Sequence, residues 1–182
     1  MSVMVKRKSG DIYNLETLRK VHQLTRDIDL AQGVDHDQLI SISTEKLRYA
    51  RATTEGIDSQ PLMHDEAPTT QQEVDDFRGR VSRSQNARTF YISGDETATV
   101  INAAFQDTID YGIAFSHVQN LVENARDADH DVYLAGQPAL TGWVYKLQKQ
   151  TYKIFTVTIL ALIIALIFYM RNVAGVVTPI IC

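Results

Sequence analysis

The sequence predicts an α+β domain that runs into a membrane-spanning helix. Three observations carry this reading. Short strand-like segments interleave with helical ones over residues 2–137, an uncharged apolar run follows at Ile154–Met170, and nearly all the charge lies upstream of that run. A mean hydropathy of -0.16 therefore averages two different materials.

Ser2–Lys8 alternates weakly through Val3 and Val5 and meets a turn at Ser9-Gly10-Asp11, the pattern of a short strand. Asn14 is placed to cap a helix whose apolar positions, Leu15, Leu18, Val21, Leu24 and Ile28, recur at three-to-four spacing. Gly33 ends that helix, and a second strand is expected around Leu39–Ser43. Ala50–Thr69 has no usable period and holds Gly56, Pro61 and Pro68, so it reads as a loop or extended crossing. Thr70-Gln71-Gln72-Glu73 is a capping box, with Val74, Phe77 and Val81 as the apolar face of the helix it opens. Thr89–Ser93 and Thr97–Phe105 read as a hairpin around Gly94-Asp95. A third helix, about Tyr111–Arg126, turns Phe115, Val118, Leu121, Val122 and Ala125 inward. Asp131–Ala135 is the last strand, closed by Gly136-Gln137-Pro138.

This order is strand, helix, strand, an inserted crossing with a helix, then two strands, a helix and a strand. It suits a ferredoxin-like (βαββαβ-type) α+β sandwich with a helical insertion. The expected organisation is a soluble domain over 1–137 and an amphipathic connecting helix over 138–153. A transmembrane helix over 154–170 follows, then a loop and the truncated start of another membrane helix over 171–182.

The span is framed by Lys153 and Arg171 and contains no charge. At ~1.5 Å per residue it reaches roughly 26 Å as a helix, close to a bilayer's hydrocarbon thickness. Its hydroxyls, Thr156, Thr158 and Tyr169, can bond back to the helix or reach the interface. A core helix of a soluble domain normally keeps one polar stripe, and this run has none. Trp143, Tyr145, Lys153, Tyr169 and Arg171 are the expected membrane-interface anchors. Lys146, Lys149 and Lys153 precede the span. The second apolar run, Val173–Cys182, is too short to cross a bilayer.

Several function classes fall away. A net charge of -4 argues against a nucleic-acid surface. Cys182 is the lone cysteine and the last residue, so no intrachain disulfide forms and no prenylation box is present. Ser2–Asn14 lacks the apolar stretch of a secretory signal. Asp35-His36-Asp37, His64-Asp65-Glu66 and Asp129-His130-Asp131 pair histidine with carboxylates. They fall in separate predicted loops without helical i, i+4 pairing, so they read as solvated turn residues rather than metal ligands. His22 and His117 belong at the edges of helical apolar faces. Ser41, Ser43 and Ser93 are in no nucleophile elbow, and Gly10, Gly33, Gly56 and Gly94 are isolated rather than a phosphate-binding loop. Asp75-Asp76 and Asp27/Asp29 fit a wet helix surface. No enzyme and no cofactor is expected.

The elements nevertheless form a recognisable series. It begins with the opening strand, the helix start Asn14-Leu15-Glu16-Thr17-Leu18, the Gly33-Val34-Asp35 turn and Ser41. It continues through Ile92-Ser93-Gly94-Asp95-Glu96-Thr97-Ala98, then Val132 to Pro138, and the tail Phe168-Tyr169-Met170-Arg171-Asn172. In order and spacing they resemble MMPL-type predicted exporters of the resistance-nodulation-division (RND) superfamily, across nearly the whole chain. The resemblance implies a proton-driven exporter of lipids or other amphiphiles with extracytoplasmic porter domains. Residues 1–137 are then a piece of the first porter domain, and the helix through Trp143 and Tyr145 couples it to the membrane.

The implied partners are the lipid bilayer, the remaining parts of the transporter, and a hydrophobic or amphiphilic substrate; nucleic acid is not among them. The implied location is the plasma (inner) membrane, with the soluble domain outside. The family's first span and its proton-relay positions have no counterpart here, so the chain is expected to be a fragment that folds but transports nothing alone. The lysines before the span favour an alternative, a single-span anchored protein with a cytosolic interaction domain.

Overall fold

Asn14 and Thr70 each supply the hydrogen-bond acceptor that a helix start needs, and the α+β part of the fold builds outward from those helices. The computed structural model describes residues 1–54, 56–106 and 111–170. It divides into two units, Met1–Gly142 and Trp143–Cys182, the second described as far as Met170.

In the first unit, β1 (Ser2–Arg7) buries Val3 and Val5 through the alternation seen in the sequence. It pairs antiparallel with β5 (Ala98–Phe105) on one side and with β6 (His130–Ala135) on the other. β2 (Val34–Ile40) lies outside β5, which gives a four-stranded sheet in the order β2-β5-β1-β6 with every neighbour antiparallel. Helix α1 (Leu15–Asp29) starts where the Asn14 side chain accepts from Thr17 N at 2.9 Å. It buries Leu18, Val21, Leu24 and Ile28 against β2, β5 and α4 (Tyr111–Ala125). Helix α4 packs beside α1 and on β6, with Phe115, Val118 and Val122 inward. The fold is α+β with an antiparallel sheet, as the sequence predicts.

Between β2 and β5 the chain departs from the sequence reading twice. Residues 50–69, expected as a loop or crossing, contribute a separate antiparallel ribbon of β3 (Arg48–Thr53) and β4 (Gly56–Pro61). Almost every side chain in it is exposed, so no inside–outside alternation marked it. Its register runs from Arg48↔Pro61 to Thr53↔Gly56, with proline at the ribbon's end. Of residues 89–93, expected as a strand, Thr89 and Phe90 instead close a short helix, α3 (Gln85–Phe90). Ser84 caps that helix through Ala87 N, and the buried Ala87 holds it to the core. Only the Ile92↔Thr99 bridge remains of the expected hairpin. The second strand also lies earlier than expected, because Asp35–Gln38 make β2 a polar edge strand with Val34 and Leu39 inside.

Helix α2 (Gln71–Arg83) opens with the expected capping box, Thr70 accepting from Glu73 N and Glu73 accepting from Thr70 N. Val74, Phe77 and Val81 are buried. Replacing Thr70 by alanine is expected to lower stability by about 1 kcal/mol, read as a fall of a few degrees in the melting temperature.

After β6, Gly136 adopts a φ of 107°, which a side chain would resist, and the last helix, α5 (Gln137–Met170), begins. Its first turns belong to this unit and bury Ala139. A Cβ on Gly142 would fall on the Phe115 ring, 2.5 Å from Phe115 Cβ, so only glycine permits this packing. The second unit is the remainder of α5.

Candidate functional site

The second unit presents apolar side chains with nothing over them. From Ile154 through Phe168 the large hydrophobic residues of α5 are exposed, apart from the half-exposed Ile163 and Leu166, and no part of its most apolar window is buried. A helix hydrophobic all round is stable only inside protein or lipid. Thr156 Oγ1 donates to Tyr152 O and Thr158 Oγ1 to Ile154 O, each at 2.9 Å, so the hydroxyls are satisfied within the helix. Backbone groups bond internally as well, which is what a hydrocarbon environment demands. This is a candidate membrane span.

Of the expected anchors, Trp143, Tyr145, Lys153 and Tyr169 are exposed on α5, and Arg171 lies outside the described residues, as does the second apolar run. Lys146 Nζ stands 5.1 Å from the Trp143 ring centroid, one helical turn along.

In the first unit the three histidine–carboxylate clusters separate. His36 is exposed and bonded to Asp29 at 3.0 Å, but it lies within strand β2 rather than in a loop, while His64 is exposed outside any helix or strand as expected. His130 is not. It is wholly buried, because its place in β6 opposite Arg7 turns the ring under α1. Nε2 lies 2.8 Å from Thr17 Oγ1 and Nδ1 lies 3.0 Å from Asp127 Oδ1. Both ring nitrogens are therefore occupied.

Asp127 also accepts from the backbone N–H of Asp129 and of His130, and it forms an ion pair with Lys20 of α1. Glu16, Asp127 and His130 bring ligand-type atoms within 4.8 Å of one another, with the Lys20 ammonium on the same carboxylate. The network ties α1 to the α4–β6 turn. Sequence reasoning missed it, although the Asp127-x-x-His130 spacing was visible.

Burial works to raise the Asp127 pKa, but hydrogen bonds from Lys20, His130 and Asp129 outweigh it and hold the carboxyl below its ordinary value of about 3.8. The stability it confers is complete above that value and is lost as pH falls through the lower folded value. Thermal melts from pH 5 downward should show this loss, and Asp127→Asn should flatten that part of the profile while lowering stability at pH 7.

Two open clefts mark the same unit. One lies between α1, β2 and the turn after it, where the His22 Nδ1 is buried without a hydrogen-bond partner among the described residues. Burial, then the neighbouring Arg26, lowers the His22 pKa. The other, of about 480 Å³, is walled by Tyr13, the end of α2, α3 and the turn before β5. At its edge Arg78 pairs with Glu96 at 2.6 Å and Asp11 at 3.3 Å and lies 4.7 Å over the Tyr13 ring.

A uniformly apolar helix following an α+β unit sets the context for comparison with known proteins. The model of the MMPL family matches residues 14–182, across both units. The chain belongs to the MMPL family. Its likeness to MMPL-type members of the RND superfamily therefore holds, and with it a membrane and transporter setting. No curated protein matches the chain.

Proposed function

We propose that this MMPL-family protein is part of a proton-driven exporter of lipids or other hydrophobic or amphiphilic compounds. In this reading residues 1–137 form a ferredoxin-like porter subdomain on the extracytoplasmic side of the plasma membrane. Residues 138–153 connect it to a span at 154–170, with Trp143, Tyr145, Lys153, Tyr169 and Arg171 at the interfaces, and the protein has a transport role rather than a catalytic one. The observation that carries the reading is the α5 segment after Lys153, apolar on every side, within a family match that also covers the soluble unit. The strand order β2-β5-β1-β6, with α1 and α4 packed together on it, supports the ferredoxin-like assignment, β3, β4, α2 and α3 then being the insertion.

Cells lacking the protein should retain more of a fluorescent amphiphile than cells that make it, and a protonophore should abolish the difference. Equal retention in both would overturn the exporter reading. The lysines at 146, 149 and 153 favour the second reading, a single-span anchor with a cytosolic domain. Ser59→Cys on the exposed ribbon distinguishes them, with Cys182 changed to serine. A membrane-impermeant maleimide should label Ser59→Cys in intact cells; labelling only after permeabilisation supports the cytosolic anchor.

A further inference from the structure

The cleft beside Tyr13 has no part in the transport reading, yet its wall is chemically selective. Arg83, on the last turn of α2, and Arg88, on α3, both line it. Neither guanidinium has a hydrogen bond or ion pair among the described residues, whereas Glu96 on the same wall is already matched by Arg78 at 2.6 Å. The cleft wall therefore presents two guanidinium groups with donors free for a ligand, beside the Glu96–Arg78–Asp11 ion pairs.

Tyr13 supplies the second observation. It is only 6% exposed, packs on Phe77 with ring centroids 6.2 Å apart, and lines the cleft. Its hydroxyl has no hydrogen-bond partner among the described residues. The oxygen itself is not sealed from solvent, so it is the accessible tip of an otherwise buried ring and is free to donate to a ligand. Burial, then Glu96, pushes its pKa up to about 12, so the group stays a neutral donor, and Arg88 is close enough for its charge to act in the opposite sense.

We propose that this cleft binds an oxyanion, the phosphate or carboxylate group of a small ligand, with Arg83 and Arg88 as the charged forks and the Tyr13 hydroxyl as a third donor. Guanidinium presents parallel N–H groups that match a carboxylate or phosphate in bidentate fashion. A volume of about 480 Å³ admits such a group with part of the molecule that carries it. The proposal is independent of transport, and its failure leaves that reading untouched.

The test uses the full chain in maltoside micelles with arginine labelled by ¹⁵N, following the Nε–Hε resonances of Arg83 and Arg88. Inorganic phosphate and hexyl phosphate are the probes. Both resonances are expected to shift saturably, and R83Q/R88Q together should weaken binding by at least about tenfold. Y13F should weaken it several-fold with an unchanged melting temperature, since the hydroxyl has no partner to lose. Equal affinity for the two probes identifies a free ion as the ligand, and tighter hexyl phosphate identifies the headgroup of an amphiphile. The proposal is overturned if the shifts grow linearly without saturation, if sodium chloride at equal ionic strength reproduces them, or if the double substitution leaves affinity unchanged.

Discussion

Phe77→Ala should unfold the α+β unit some 10–15 °C earlier than the unsubstituted chain, about 3–5 kcal/mol of lost stability. Phe77 is wholly buried and is the largest of the fully enclosed side chains. It joins α2 to the core shared by α1 and the sheet, and its ring stands against that of Tyr13. Truncation removes the transfer energy of the ring and leaves a cavity that rigid neighbours fill only in part. Phe77→Leu keeps most of the volume and should cost less than about 1.5 kcal/mol. Melts of the full chain in mild detergent, followed by near-ultraviolet circular dichroism, give both values. A loss under about 1 kcal/mol for the alanine variant would mean that α2 is not held in the core.

What could be read from the sequence was what short-range chemistry determines. Asn14 and Thr70 were legible as caps because the acceptor and the N–H it serves lie within one turn. The inward faces of α1, α2 and α4 were legible because burial follows helical periodicity. The β3–β4 ribbon was not, since its strands are held by backbone pairing and bury almost nothing. α3 was misread because Thr89–Ser93 is rich in the aromatic and β-branched residues of a strand, while the deciding groups, the Ser84 cap and the buried Ala87, sit upstream of it.

The polar features escaped for a different reason. His130 between Asp129 and Asp131 looks like a wet turn, and only its register opposite Arg7 and its contact with Thr17 take it inside. The arginine-lined cleft joins Tyr13 to residues 82–96, a juxtaposition with no local signature. Long-range geometry decided both.

The candidate span makes the second large expectation: Leu162→Arg should drive the chain out of the bilayer. Leu162 lies at the middle of Ile154–Met170 and is 58% exposed, so its side chain faces whatever surrounds the helix. In lipid, exchanging leucine for arginine at a helix centre costs about 3–4 kcal/mol on insertion scales, two orders of magnitude or more in the insertion equilibrium. Snorkelling offers little relief at this depth, because both interfaces are roughly 13 Å away along the helix axis. No acidic side chain within 154–170 could pair with the new charge. Leu162→Ala, which keeps the segment uncharged, should remain in the membrane fraction after alkaline extraction, while Leu162→Arg should appear largely in the supernatant or the aggregate. If both variants partition like the unsubstituted chain, another surface holds the protein to the membrane and α5 does not cross it.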